Sequence, residues 1–208
     1  MHQKKIFTGG KKLSEAKRAL VLVHGRGGSA EDILTLADHL AVKDFALVAP
    51  EASGNTWYPY SFLAPPAQNE PWLSSAIAVL GEVVNDIVAE GIMKENIYFT
   101  GFSQGACLTL EFVTRNASKY GGVAAFTGGL IGDRIYPENY KGSFEQTPVF
   151  IGSGDPDAHV PVKRVEETVA IMESMGAKVT LQLYPGRAHT ISLDELALAD
   201  KLVFNTAS

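Results

Sequence analysis

Three short segments carry the residue types that nucleophilic acyl transfer requires. Residues 101–105, GFSQG, fit G-x-S-x-G with Ser103 at the centre. A serine hydroxyl attacks a carbonyl poorly unless a base removes its proton, and the base needs an acid to hold it in the right tautomer. Where such a serine follows a central strand, the chain order is Ser, then Asp or Glu, then His, each in a loop at the carboxyl end of a strand. Residues 153–161, SGDPDAHVP, and 184–192, YPGRAHTIS, follow apolar runs in that order and place Asp157 and His189 where an acid and a base belong. Asp155 is the rival acid and His159 a second imidazole beside it; either would otherwise be a turn residue capping the helix that starts near Pro161. His24, His39 and His2 are weaker bases, His39 because it lies within an amphipathic helical pattern and His2 because it sits at a chain end expected to fray.

The oxyanion formed on attack needs backbone donors. One is the N–H of Gln104, directly after the serine; the other is expected from a turn after an early strand, and VHGRGG at 23–28 nominates the Arg26 N–H. The same stretch, Gly25 to Ala30, also satisfies G-x-G-x-x-A after a strand and before a helix. That is a dinucleotide fingerprint, for which Glu51 would be the ribose-binding acid. A nucleotide-binding oxidoreductase is therefore the rival reading, but it leaves Ser103, Asp157 and His189 without a role.

These residues must be held by regular elements, and the chain alternates two periods. Apolar, β-branched runs at 19–23, 45–49, 97–100, 123–127, 148–151 and 179–183 read as buried strands. Between them, Leu73, Ile77, Leu80, Val84 and Ile87, and later Val162, Val165, Val169 and Met172, step by three or four residues and line helix faces. Gly91 and Gly176 stand where those helices should stop, and Ser29 to Asp32 and Ser192 to Glu195 have N-cap spacing, the latter as an S-x-x-E capping box. Strand followed by helix, repeated, predicts an α/β fold with a mostly parallel sheet covered on both faces. In that sheet Ser103 falls in a strand-to-helix turn, a nucleophile elbow. Residues 1–16 read as an antiparallel edge hairpin. Residues 50–71 are too long for a mere link, and their aromatics Trp57, Tyr58 and Phe62 are expected to wall the substrate pocket.

At 208 residues the chain suits one domain, 1–208, burying roughly 70% of its unfolded surface. With 46% hydrophobic and 20% charged residues it is globular rather than disordered. A net charge of −5 argues against nucleic-acid binding. The single cysteine, Cys107, offers no disulfide and no zinc cluster, and suits a reducing compartment. The apolar run at 19–23 is too short for a signal peptide, no stretch approaches the 18 residues of a membrane span, and a cytoplasmic protein without stable membrane insertion is expected.

With these segments assembled, the chain resembles the phospholipase/carboxylesterase and acyl-protein thioesterase family of α/β-hydrolases from about Leu20 to Leu202. The resemblance rests on LVHGRGGSA, TGFSQGA, SGDPDAHVP and YPGRAH. It implies Ser103, Asp157 and His189 as a catalytic triad, the D-x-x-VP match selecting Asp157 over Asp155, with Arg26 and Gln104 as oxyanion-hole donors. It implies hydrolysis of carboxylic esters with small or medium acyl and alcohol groups through a Ser103 acyl-enzyme, without metal or organic cofactor and without a separate cap domain. The same chemistry would extend to thioesters or lysophospholipids. Thioesterase members commonly carry an apolar residue, often Leu, where this chain has Arg26, and a charge at the pocket mouth argues against long acyl groups. The Arg26 side chain would pair with a substrate carboxylate if it pointed into that mouth. The expected partner is a small-molecule ester, the expected assembly a monomer or homodimer. A catalytically silent hydrolase fold used for binding is the third alternative.

Overall fold

The computed structural model describes residues 1–205, so the last three positions of the 1–208 domain span lie outside it. Its centre is a seven-stranded sheet, because five apolar runs that cannot face water on either side must lie between two helix layers. In chain order the strands are β1 (Ile6–Gly10), β2 (Ala19–Val23), β3 (Ala46–Pro50), β4 (Ile97–Phe102), β5 (Gly122–Phe126), β6 (Pro148–Asp155) and β7 (Lys178–Pro185). The helices are α1 (Ala30–Leu34), α2 (Pro66–Asn69), α3 (Trp72–Ala89), α4 (Gln104–Arg115), α5 (Val162–Ser174) and α6 (Leu193–Ala199). Spatial order is β1-β3-β2-β4-β5-β6-β7. All neighbours are parallel except β1, which runs antiparallel to β3.

The period of two sorts each strand into two cores. Val21, Val23, Val48 and Phe99 face the layer containing Leu80 of α3, Leu108 of α4 and Val165 of α5. Leu20, Leu22, Phe126 and Phe150 face Ile33 of α1, Leu196 of α6 and Phe204. Ser29 and Ser192 both cap in full boxes, with Asp32 acting at Ser29 as Glu195 does at Ser192. These caps start α1 and α6 just beyond the carboxyl ends of β2 and β7.

Three expectations are corrected. The 1–16 hairpin is a single strand: Ile6 to Gly10 pairs with Pro50 to Ala46, and at Gly10, with φ +62°, a side chain would overlap the Phe45 carbonyl. The chain then leaves the sheet through a turn in which Ala16 N–H donates to Lys12 O. The helical pattern around His39 is a five-residue α1 followed by a 3₁₀ turn, Thr35–His39. At that break the Thr35 hydroxyl donates to Asp32 O at 2.7 Å, competing with the backbone ladder. Finally α3, with 18 residues and mean hydropathy 1.4, is long and apolar enough by length and composition to cross a membrane. It lies against the sheet instead, burying Leu73, Ala76, Leu80, Val83, Val84 and Ile87. Its Asp86 pairs with Lys4 at 2.6 Å on the outer side.

Candidate active site

The bend after β4 accounts for both glycines of the GFSQG segment. A Cβ on Gly101 would stand 2.6 Å from Gly105 O, and one on Gly105 would overlap the Val23 carbonyl of β2. Between them Ser103 adopts φ 54°, ψ −117°, a conformation rare for a residue with a side chain. Its N–H donates to Phe126 O at 3.0 Å, tying the elbow to β5. The hydroxyl is thereby set beside the N-terminus of α4.

His189 follows β7 and Asp157 follows β6. The Ser103 hydroxyl lies 2.8 Å from His189 Nε2, and His189 Nδ1 lies 2.8 Å from Asp157 Oδ2. A carboxylate can only accept, so Nδ1 carries the proton and Nε2 is left to accept from the serine. Asp157 Oδ1 accepts from the His159 and Val160 N–H groups at 2.8 and 2.9 Å. Burial pushes the Asp157 carboxyl up, but the bonds from His189, His159 and Val160 outweigh it and hold the group below the usual aspartate range. Asp155 is exposed at the end of β6, and its carbonyl accepts from Gly186. The His159 ring stands edge-on to His189 with centroids 4.8 Å apart.

The turn at 25–28 is pinned from both sides. Gly27 N–H donates to Asn55 O at 2.7 Å, and the Asn55 amide donates to Gly28 O at 2.8 Å. Among the described residues the Arg26 N–H has no acceptor. The Gln104 N–H, first of α4, has no partner within its helix. The Arg26 side chain reaches over the 56–60 loop, donating to Thr56 Oγ1, Pro59 O and Tyr60 O at 3.3, 3.0 and 2.8 Å.

Two positioning side chains lay outside the sequence expectation. The Gln104 carboxamide accepts from Trp57 N–H and donates to Tyr58 O, both at 2.9 Å, clamping the loop to the elbow. Buried His24 donates from Nδ1 to Gly25 O at 2.7 Å and accepts at Nε2 from Ala52 N–H at 3.1 Å. The signal for each was a polar side chain in an otherwise apolar strand-to-turn segment.

A cavity of about 570 Å³ opens at Ser103 and His189 and is lined by Tyr58, Phe62, Arg26 and His159 among others. Trp57 is not part of it, which corrects its expected place in the pocket wall. Its indole is fully buried, donates from Nε1 to His24 O at 2.9 Å, and packs between the His2 and His24 rings. An indole with its one donor satisfied gains more from the core than from the rim. His2 is likewise not frayed: Nε2 donates to Trp57 O and Nδ1 accepts from Ser53 N–H. Cys107 touches the cavity floor, and burial raises its thiol pKa to about 12. A second cavity of about 340 Å³ meets Ser103 and His189 from the α1 side.

Glu51, the ribose acid of the nucleotide reading, bonds Lys5 Nζ at 2.5 Å and the Ala30 N–H at 3.3 Å, closing the start of α1. Among the described residues no three His, Cys, Asp or Glu side chains are grouped to hold a metal ion.

The family model described as Phospholipase/Carboxylesterase matches residues 8–205. Acyl-protein thioesterase 1 of Kluyveromyces lactis is 29% identical over 208 residues, covering 89% of this chain and 90% of that protein. A crystal structure of a phospholipase/carboxylesterase from Dyadobacter fermentans superposes with a TM-score of 0.97 at 57% identity, covering 98% of each chain. The Bacillus cereus carboxylesterase shares the fold, with a TM-score of 0.78 at 22% identity over 95% of this chain and 92% of that one.

Proposed function

The chain belongs to the phospholipase/carboxylesterase family of α/β-hydrolases, and from that premise we propose that it hydrolyses carboxylic esters of small or medium acyl and alcohol groups through an acyl-enzyme on Ser103. The observation that carries this reading is the unbroken hydrogen-bonded line Ser103, His189, Asp157, with 2.8 Å at each step. Ser103 Oγ attacks the ester carbonyl carbon while His189 Nε2 takes the hydroxyl proton. The negative charge moves to the carbonyl oxygen, where the N–H groups of Arg26 and Gln104 donate to it. Asp157 steadies the imidazolium without taking its proton. Collapse breaks the bond to the alcohol, which leaves with the proton from Nε2. Water, deprotonated by the same nitrogen, then attacks the acyl-serine, releases the acid and restores Ser103.

Tyr58 and Phe62 supply apolar wall, and the Gln104 clamp holds that wall at a fixed distance from the nucleophile. A cavity of about 570 Å³ has room for short and medium groups. Thioesters, cleaved by the acyl-protein thioesterases that this chain is similar to, react by the same steps with a thiol as leaving group.

The test is turnover of p-nitrophenyl esters of graded acyl length, with an active-site fluorophosphonate label mapped by mass spectrometry. Turnover that falls off for long acyl chains, with the label on Ser103, is the expected result. No turnover of any ester, or a label on another residue, would overturn the proposal.

A further inference from the structure

Ser103, His189 and Arg26 line both of two adjoining cavities. On the α1 side, Ile33, Leu36, Phe102 and Ile191 give an apolar lining, and the carboxylate there, Asp32, is engaged in the Ser29 capping box. On the loop side, His159 joins Arg26 beside the apolar Tyr58, Phe62 and Val160, and, among the described residues, no Asp or Glu lines that cavity. In a chain with 23 acidic against 18 basic residues, that is a local reversal of the overall balance.

The Arg26 charge there is uncompensated. Its three acceptors, Thr56 Oγ1, Pro59 O and Tyr60 O, are all neutral, and among the described residues it makes no ion pair. Those bonds use three of its five N–H groups and fix the guanidinium plane, so a ligand that takes the other two has little side-chain entropy left to remove. Among the described residues the ring nitrogens of His159 make no hydrogen bond. Its backbone N–H donates to Asp157 Oδ1, which fixes the main chain there, and the exposed ring meets His189 edge-on. Asp157 is the carboxylate nearest His159, but both its oxygens already accept, from His189 and from the His159 and Val160 N–H groups, and it does not line the cavity.

We infer that the substrate is an ester with one anionic and one apolar arm, the carboxylate resting against Arg26 and His159 and the apolar arm lying in the α1-side cleft. This rests on Ser103 as the nucleophile and adds the substrate class: half-esters of short dicarboxylic acids, or esters of carboxylate-bearing alcohols. Bonds to that carboxylate would be charge-assisted at Arg26 and would sit at the edge of solvent, where salt weakens them.

The experiment measures kcat/KM for two matched pairs. One is p-nitrophenyl hemisuccinate against p-nitrophenyl butyrate, with the charge on the acyl arm; the other is p-carboxyphenyl butyrate against phenyl butyrate, with the charge on the alcohol arm. In one pair the anionic ester should be favoured by about tenfold at low salt, shrinking in about 0.5 M NaCl and in both Arg26→Gln and His159→Gln. Because Arg26 also braces the loop, His159→Gln and the salt titration stand if Arg26→Gln folds poorly. Neutral esters turned over as well as or better than both anionic ones would overturn this inference and leave the esterase reading intact. A preference indifferent to salt and to His159→Gln would overturn it too. Failure to turn over all four esters, with Ser103 unlabelled by fluorophosphonate, would instead overturn the reading beneath it.

Discussion

Arg187, two residues before His189, forms a two-point ion pair with Glu195, a carboxylate with no solvent exposure in the first turn of α6. Glu195 also closes the capping box with Ser192, so one side chain anchors both the helix and the loop that carries His189. Burial pushes its carboxyl up and the Arg187 guanidinium opposes that shift. Glu195→Ala leaves a charge without its partner and should destabilise the protein by about 3–5 kcal/mol. Arg187→Met with Glu195→Gln, which removes both charges, should recover part of that loss in thermal unfolding. An equal or larger loss in the double variant would show that the pair is not what holds the loop.

Ser103→Ala should abolish fluorophosphonate labelling and ester turnover together. Cys107, one turn along α4, should stay inert to thiol reagents at pH 8, because a thiol with a pKa of about 12 holds almost no thiolate there. Inactivation traced to Cys107 by peptide mapping would contradict this.

Asp157→Asn should lower kcat by about 10³- to 10⁴-fold by favouring the wrong His189 tautomer, and Asp155→Asn far less. The Asp157 shift also has a sign in stability. Its folded pKa lies below the unfolded value of ~3.9, so the contribution is present above that pH and is lost as pH falls through the folded value. Denaturant midpoints measured from about pH 5 to pH 2 should fall less steeply in Asp157→Asn than in the parent.

Trp57→Ala should act on stability rather than on substrate choice. Loss of a fully buried indole costs about 3–5 kcal/mol, which in a chain of this size lowers Tm by roughly 10 °C or more. Phe62→Ala, at the cavity wall, should raise KM for bulky esters by about 10-fold or more while leaving kcat for an acetate ester nearly unchanged. Steady-state kinetics on both variants, beside melting curves, separates the two roles.

Chelation should leave activity unchanged, since a serine, an imidazole and a carboxylate complete the proposed chemistry. Loss of turnover in EDTA, restored by added zinc or magnesium, would contradict it.

Strands β2 to β6 were legible because each is a run of apolar residues buried on both faces, which leaves few ways to arrange them. The elbow was legible for a similar reason: Gly101 and Gly105 are demanded by backbone contacts with fixed neighbours along the chain and across to β2. Composition and periodicity are local properties, and the strand runs and the G-x-S-x-G spacing are local, although the contact that demands Gly105 is made across to β2. The aromatics of the 50–71 loop are another matter. Trp57 and Tyr58 are adjacent, equally apolar and both buried, yet one packs under His24 and the other lines the cavity. What separates them is the Gln104 side chain gripping the main chain at both residues, a contact spanning 47 positions in sequence. Arg26 is the same case. Its residue type allowed many directions, and three loop acceptors, the nearest 30 positions away, lay it over the 56–60 loop at the cavity edge. Edge pairing of β1 likewise depended on the open hydrogen-bonding side of β3, because a strand in isolation cannot specify its partner. Sequence determined which groups were available and the order in which they arrive at the carboxyl end of the sheet. Tertiary structure decided which of them face the cavity, since that turns on satisfying buried N–H and C=O groups brought together from distant segments.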